Sequence, residues 1–157
     1  MKLLIYNITL AFVWSVLNGD VNARNLAIGF LLGYFVLGAI RPGTGGTSYF
    51  LKVKQVISFI LLFLKEMIVS SVRVAHDVLT IKSHAKPGII AVPLDAKTDA
   101  EIALLANVIT LTPGTLSLDV SDDRSTLYIH AMFVDDPDQL RAEIKLGLEK
   151  KLLEVMR

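Results

Sequence analysis

The stretch from Tyr49 to Lys82 constrains this chain more than any other, because it contains neither Gly nor Pro. Without a helix breaker it is predicted to form one continuous helix. At ~1.5 Å per residue such a helix runs roughly 50 Å. The hydrocarbon core of a bilayer is only ~30 Å thick. If this helix enters a membrane, one of its ends therefore lies outside.

The character of the residues changes along this helix. Val56–Leu64 is apolar on every side apart from Ser58, which is typical of a lipid-embedded segment. From Lys65 onward the pattern is amphipathic, and at about 100° per residue the polar positions fall on one side. Those polar positions are Lys65, Glu66, Arg73, His76, Asp77 and Thr80.

Two apolar runs precede the long helix, Met1–Asn18 and Asn25–Ile40. The first run has 18 residues and the second 16, so both lie at or just below the short end of the ~17–25 residues that a membrane span needs. We predict either two thin spans or a helical hairpin packed against partner proteins. The first run is not predicted to be a cleaved signal, because no small-x-small site follows it. Gly29-x-x-x-Gly33 in the second run allows helices to approach closely.

Bulk composition excludes several classes of function. The formal net charge is +1 and no run is rich in Lys or Arg, so no nucleic-acid partner is predicted. The absence of cysteine excludes a disulfide framework, a thiolate nucleophile and a Cys-based metal site. With 53% apolar residues, the chain is more apolar than a typical soluble domain. Positive residues flank every apolar run, so the positive-inside rule does not assign a side of the membrane.

Residues 83–157 have the patterns of a small globular domain. Ile89–Leu94 is predicted to be a strand, with Pro93 marking an edge or an end. Thr98–Glu101 is a capping box that opens a helix. That helix is predicted to stop near Thr110–Leu111, because Pro113 follows closely and proline disfavours helix before it.

Two strands and a second helix complete the predicted domain. In the first of these strands, three apolar residues alternate with polar ones and are predicted to face inward: Leu116, Leu118 and Val120. The matching strand has its own inward set: Leu127, Ile129 and Ala131. Asp136 is predicted to cap the last helix. Its apolar face comprises Leu140, Ile144, Leu148 and Leu152, and its other faces carry Glu143, Lys145, Glu149 and Lys150.

The predicted fold class is therefore a membrane protein in three parts. Residues 1–48 form two short apolar helices, residues 49–82 form the long helix, and residues 83–157 form an α+β domain. The order of elements in this domain is βαββα, with the helices on one face of the sheet.

No catalytic or metal-binding constellation is present in the sequence, so neither an enzyme nor a cofactor is predicted. The three histidines, His76, His84 and His130, have no ligand spacing. Asp122–Asp123 belong to a turn, and Asp135–Asp136 to a helix cap. The Gly-rich stretch Arg41–Ser48 is predicted to be a loop, but it lacks the GK[ST] of a phosphate-binding loop.

Lys65 and Glu66 are candidates for a polar contact inside the membrane, because they end the all-apolar segment. Ionisable groups at that depth usually face a partner or a water-filled path. One interpretation is that they touch an ion or proton route in a larger complex. The other is that they lie near the interface, extend to the headgroups, or pair structurally with another subunit. Arg73 and Asp77 have the spacing of a helical ion pair.

The stretch Asn107–Met132 resembles the E subunit of the multisubunit Mrp/Mnh-type sodium/proton antiporters. The run Thr-Leu-Thr-Pro-Gly-Thr at 110–115 carries this resemblance, together with Asp119-Val120 and Leu-Tyr-Ile-His at 127–130. The order of the short apolar runs, the long helix and the C-terminal domain extends it to the whole chain.

This resemblance implies a non-catalytic subunit of an inner-membrane complex that exchanges Na⁺ for H⁺, with the other subunits and the bilayer as partners. It implies a role in assembly and stability, and it places the C-terminal domain in the cytoplasm. The alternative is a membrane-tethered domain that binds a ligand or a regulatory partner on its own.

The motif turn Thr112, Pro113, Gly114 and Thr115 is the second candidate site. Pro113 fixes the backbone and Gly114 allows a positive φ, while the two threonines can bond local amides. These properties suit a docking surface, and they also suit a simple helix-to-strand turn.

Overall fold

The computed structural model describes residues 2–40, 47–81 and 83–157, which belong to two compact units, Met1–Lys54 and Gln55–Arg157. Most of the Gly-rich stretch predicted as a loop, 41–46, lies outside the described residues, as does Lys82. Each unit has its own internal packing.

In the first unit, helices α1 (Lys2–Leu17) and α2 (Ala23–Ala39) form a hairpin. Each helix buries one residue in every four along the face that meets its neighbour. The buried residues are Leu3, Asn7, Ala11 and Ser15 on α1, and Asn25, Gly29, Gly33 and Leu37 on α2. Asn22 caps α2, since its side-chain oxygen accepts from the backbone N–H of Asn25 at 2.8 Å.

The two glycines of the Gly-x-x-x-Gly pattern lie at the closest approach of these helices. A Cβ on Gly33 would overlap Oδ1 of Asn7, and one on Gly29 would stand 2.8 Å from the Cα of Ala11. Neither position has room for a side chain. The pattern thus packs two helices of the same chain. Asn7 also donates from Nδ2 to the hydroxyl of Tyr49 at 2.8 Å.

The long helix, α3, spans Thr47–Leu79 and so lies close to the predicted range. Among the described residues, α3 is the one helix that is long and apolar enough to cross a membrane. It ends three residues earlier than predicted because Asp77 stabilises a turn there. The carboxylate of Asp77 accepts from the hydroxyl of Ser83 at 3.0 Å and from the backbone N–H of His84.

In the second unit, the described residues form one three-stranded antiparallel sheet in the order β1–β3–β2. The strands are β1 (Gly88–Pro93), β2 (Thr115–Val120) and β3 (Thr126–Ala131). Helix α4 spans Asp99–Thr110, and the C-terminal helix runs as α5 (Pro137–Glu143), a π-helical section (Ile144–Glu149) and α6 (Lys150–Met156). The core contains Ile90, Val92, Leu105, Val108, Ile109, Leu127, Ile129, Ile144, Leu148 and Leu152.

Both predicted helix caps of this domain are confirmed. Thr98 and Glu101 form the reciprocal capping box of α4. Asp136 accepts from the backbone N–H groups of Asp138 and Gln139, with Pro137 in the first turn of α5.

The prediction that Leu116 and Leu118 face inward is wrong. Their side chains are 45% and 47% exposed, respectively, on the face of the sheet away from the helices. The register shifts between Ser117 and Asp119, so Leu118 is an extra residue in a β-bulge. Val120 still faces inward beside Leu127, because the bulge restores the alternation beyond it. The outward face of the sheet also exposes Ile89 and Tyr128.

The π-helical section was not predicted, because the four-residue spacing of the apolar face is equally typical of an α-helix. Leu140, Ile144, Leu148 and Leu152 are each four residues apart. In an α-helix three such steps turn the face by roughly 120°. The wider turn of a π-helix reduces that drift. The last three of these residues are buried as a consequence.

Candidate functional site

Lys65 and Glu66 lie about halfway along α3 and pair with each other. The Lys65 Nζ stands 3.5 Å from Oε1 of Glu66, and the two side chains are 69% and 36% exposed. Neighbouring residues on a helix do not face each other, so helix geometry does not favour this pair. An exposed pair of this kind contributes little stability in water.

The motif turn connects α4 to β2, and its backbone is held at several points. Gly114 has a φ of +86°, in the left-handed region that glycine adopts without strain. The carbonyl of Gly114 accepts from the backbone N–H of Met132 at 2.8 Å, which ties the turn to the end of β3. The turn is therefore rigid and closely coupled to the sheet.

The two threonines of the turn bond local backbone amide groups, as predicted, and they do so at the carbonyl oxygens. Thr112 donates from its hydroxyl to the carbonyl of Val108 at 3.2 Å. The hydroxyl of Thr115 lies 2.6 Å from the carbonyl oxygen of Ile109 and 2.8 Å from that of Thr112. The last carbonyls of a helix have no intrahelical donor. The threonines supply donors there, and this explains their place in the motif.

The structure brings both sequence-predicted sets of residues to one cavity in the second unit. This cavity has a volume of about 560 Å³, and Lys65, Glu66 and the whole turn 112–115 line it. Ser70 and Arg73 of α3 also line it, together with Leu140, Glu143 and Gly147 of the C-terminal helix. Residues that are far apart in the sequence therefore share one site.

The lining of the cavity combines apolar side chains with charges of both signs. The Arg73 guanidinium lies 5.9 Å from the centre of the Phe133 ring, in the range of a cation–π contact. Glu143 accepts a hydrogen bond from Gln139 at 2.9 Å. Arg73 and Asp77 have separate partners, so the predicted ion pair between them is not found among the described residues.

One buried carboxylate, that of Glu149, was not predicted as a structural group. Glu149, predicted on an outer face of the last helix, is only 1% exposed. Its Oε1 accepts from the backbone N–H groups of Asp95 and Ala96 at 2.6 and 3.0 Å, and its Oε2 stands 2.8 Å from Lys145 Nζ. A buried carboxylate needs such partners. Nothing in the helical periodicity indicates that a loop about 50 residues away will supply them.

Glu101 holds the same loop from the other side. Its Oε2 accepts from the backbone N–H groups of Lys97 and Thr98 at 2.8 and 3.1 Å. Nε of Arg157 donates to its Oε1 at 2.9 Å. The bond from Arg157, followed by the two backbone bonds, lowers the pKa of Glu101 to about 2.

The histidines do not form a metal site. His76 and His84 have ring centres 5.9 Å apart, while His130 lies on β3. Within residues 2–40, 47–81 and 83–157, no group of three or more His, Asp or Glu side chains is arranged to hold a metal ion.

The outward face of α3 is apolar over most of its length. The exposed side chains on this face, which we call the outer face, are Ile57, Leu61, Leu64, Ile68, Val72 and Leu79. The polar residues Glu66, Ser70 and Arg73 line the cavity instead. A helix in water has the opposite arrangement, with its apolar side packed inward.

Comparisons with known proteins point to one family. The family described as "Na+/H+ ion antiporter subunit" matches residues 7–155. Among curated relatives, the Na(+)/H(+) antiporter E subunit of Alkalihalophilus pseudofirmus is 37% identical over 154 residues, with 98% of each chain covered. The protein of the same name from Bacillus subtilis is also 37% identical over 154 residues, again with 98% of each chain covered.

Two solved complexes contain a similar chain. One is the Mrp complex from Dietzia sp. DQ12-45-1b, with 29% identity and a TM-score of 0.50 over 65% of this chain and 96% of that one. The other is the membrane-bound sulfane sulfur reductase, an archaeal respiratory membrane complex, with 28% identity and a TM-score of 0.57 over 96% of both chains. With the family match over residues 7–155, these similarities show that the chain is a cell-membrane protein and belongs to the family of E subunits of Mrp/Mnh-type antiporters.

Proposed function

We propose that this chain is a non-catalytic subunit of a multisubunit Na⁺/H⁺ antiporter and is needed for assembly and stability of the complex. Family membership supports a place in an antiporter complex. The outer face of α3 is the observation that supports the assembly role. This face is too long to be covered by lipid alone, so part of it needs protein partners.

The outer face continues beyond the point where the all-apolar segment ends. Beyond Lys65 and Glu66, the side chains of Ile68, Val72 and Leu79 are 60%, 64% and 85% exposed. The candidate span Ser48–Leu79 has 32 residues. At ~1.5 Å per residue it exceeds the ~30 Å hydrocarbon core. Part of the outer face is therefore too far along the helix for lipid tails to cover, and we assign that part to neighbouring subunits.

Within this proposal, residues 1–48 provide two spans or a membrane hairpin, 49–82 provide the long helix, and 83–157 provide a cytoplasmic domain. The chain works without a cofactor and without nucleic acid. Lys65 and Glu66 serve as a structural pair at the cavity, rather than as part of an ion route, because they already lie within ion-pair distance of each other.

The experiment is complementation of a strain that lacks this gene. The double variant Ile68→Asp with Val72→Asp places charges on the outer face, whereas Ile68→Leu with Val72→Leu keeps it apolar. We expect the aspartate pair to lose the assembled complex on a native gel and to lose Na⁺-dependent growth, while the leucine pair retains both. Normal assembly and antiport in the strain without the gene would contradict the proposal.

A second candidate function is the tethered domain that binds a ligand by itself, and the cavity of about 560 Å³ is the observation that favours it. It differs from the first in one measurable respect. If it were the main function, the complex would assemble normally without this chain.

A further inference from the structure

We propose that the cavity lined by Lys65, Glu66, Arg73 and Glu143 binds the headgroup of one zwitterionic phospholipid. The proposal does not depend on the assembly role, because lipid binding can be measured on this chain without its partners. Three observations support it. They are the size and mixed lining of the cavity, the balance of its charges, and the open space beside Gly147 in its wall.

The cavity has the size and the mixed lining of a site for an amphiphile. Its volume of about 560 Å³ lies within the roughly 300–1,000 Å³ of small-molecule sites. It therefore has room for a headgroup and glycerol backbone, but not for a whole phospholipid. The apolar part of its lining includes Leu62, Val69 and Leu146. Acyl chains are the kind of ligand that such side chains cover.

The charges of the lining balance. Lys65 and Arg73 are positive, while Glu66 and Glu143 are negative. A ligand of strong net charge would be repelled by the two lining residues of the same sign, whereas a zwitterion meets a partner for each of its own charges. Arginine forms bidentate bonds with phosphate, so the phosphate belongs beside Arg73. The ammonium group then belongs beside Glu143, because Glu66 is already paired with Lys65.

The lipid would come from the bilayer, because α3 forms one wall of the cavity. Leu62, Lys65, Val69 and Arg73 line the cavity from α3, which is the candidate membrane span. Arg73 lies less than two turns before Leu79, the last residue of α3, and basic residues near the ends of membrane helices recognise lipid headgroups. A ligand drawn from the bilayer would therefore reach this site without crossing water.

The opposite wall contains the π-helical section, a feature that recurs at functional sites. Gly147 of this section lines the cavity, and a Cβ added there would meet no atom within 4 Å. A larger side chain can be introduced at this position without a clash at its Cβ. This makes Gly147→Leu a variant that fills space in the cavity while favouring helix.

The test measures retention of phosphatidylethanolamine by the purified full chain in detergent, using native mass spectrometry. The matched control is Ala142→Leu, an exposed position on the same helix that does not line the cavity. We expect one phosphatidylethanolamine on the wild type and on Ala142→Leu, and a loss of about tenfold in affinity for Gly147→Leu. Equal retention by all three chains would overturn the proposal. So would equal loss in both leucine variants.

A second measurement tests the headgroup. We expect the wild type to prefer phosphatidylethanolamine to phosphatidylglycerol, which is anionic, when both carry the same chains. Arg73→Gln should lower the affinity for both lipids, whereas Glu143→Gln should remove the preference. A preference for phosphatidylglycerol in the wild type would contradict the charge argument, and so would unchanged binding in Arg73→Gln.

Discussion

Glu101 and Glu149 hold the loop between β1 and α4 by accepting two backbone N–H groups each. They come from different helices, so the loop joins the start of α4 to the C-terminal helix. Arg157 extends this arrangement, since it donates to Glu101 and also to the carbonyl of Asp95 at 3.1 Å. In a domain of this size, a few such contacts contribute a large part of the net stability.

The substitution Glu149→Ala should destabilise the second unit by about 3 kcal/mol, because it leaves two backbone N–H groups without an acceptor. The measurement is the thermal unfolding midpoint of the full chain in detergent, where we expect a fall of roughly 10 °C or more. Asp135→Ala is the control, because Asp135 takes part in an exposed ion pair with Lys86. Similar midpoints for the two variants would show that the buried contacts add nothing.

Glu101 should make the stability of this unit depend on acid. Its pKa is lowered to about 2 in the folded chain, against about 4.5 for a free side chain. The stabilisation is therefore complete above pH 4.5 and is lost as pH falls towards 2. We expect the unfolding midpoint of the wild type to fall more steeply over this interval than that of Glu101→Gln. Parallel curves would contradict the assignment.

At the scale of elements, the α1–α2 hairpin depends on two glycines and on a polar side chain that packs against one of them. Asn7 is fully buried, with its Oδ1 against Gly33 and its Nδ2 bonded to Tyr49. Close contact between helices is a main source of stability in a membrane, where burial of apolar surface adds little.

Gly33→Ala should separate α1 from α2 and destabilise the hairpin by about 1–3 kcal/mol, as overpacking does. The control is Gly38→Ala, whose Cβ would stand 3.6 Å from the Phe50 ring, an ordinary contact. Thermal aggregation of the full chain in detergent measures both. Because the clash of Gly33→Ala is with Asn7 Oδ1, the addition of Asn7→Ala should restore part of the loss. No recovery in the double variant would place the cause elsewhere.

The elements that follow local chemistry could be predicted from the sequence. The long helix, the capping box of α4 and the cap at Asp136 each rest on neighbouring residues. The outward turn of Leu116 and Leu118 could not be predicted, since alternation alone cannot detect a bulge. The burial of Glu149 depends on a distant loop, which no helical pattern contains.

The sequence singles out residues of the candidate site, but it does not predict that they lie together. Lys65 and Glu66 are conspicuous because charge interrupts an apolar helix, and the turn 112–115 because of its family resemblance. That both line the same cavity depends on how α3 packs beside the domain. Gly147 carries no sequence signal of its own, and only the structure adds it to the site.

At the scale of the whole molecule, the sidedness of the C-terminal domain can be tested directly because the chain has no cysteine. Asp122→Cys introduces one thiol in the exposed turn between β2 and β3. In intact cells we expect labelling by a membrane-permeant maleimide only, because the domain is proposed to be cytoplasmic. In lysed cells an impermeant maleimide should label it as well. Labelling of intact cells by the impermeant reagent would place the domain outside.

The outward face of the sheet affects how quickly the chain is degraded in the cell. Ile89, Leu116, Leu118 and Tyr128 remain exposed on that face, and such apolar surface is the kind that quality-control proteases and chaperones bind. We expect a chain made in excess of its neighbours to be degraded quickly, and its half-life to lengthen when they are co-expressed. The bulge that turns these leucines outward would then link the abundance of this chain to the supply of its neighbours.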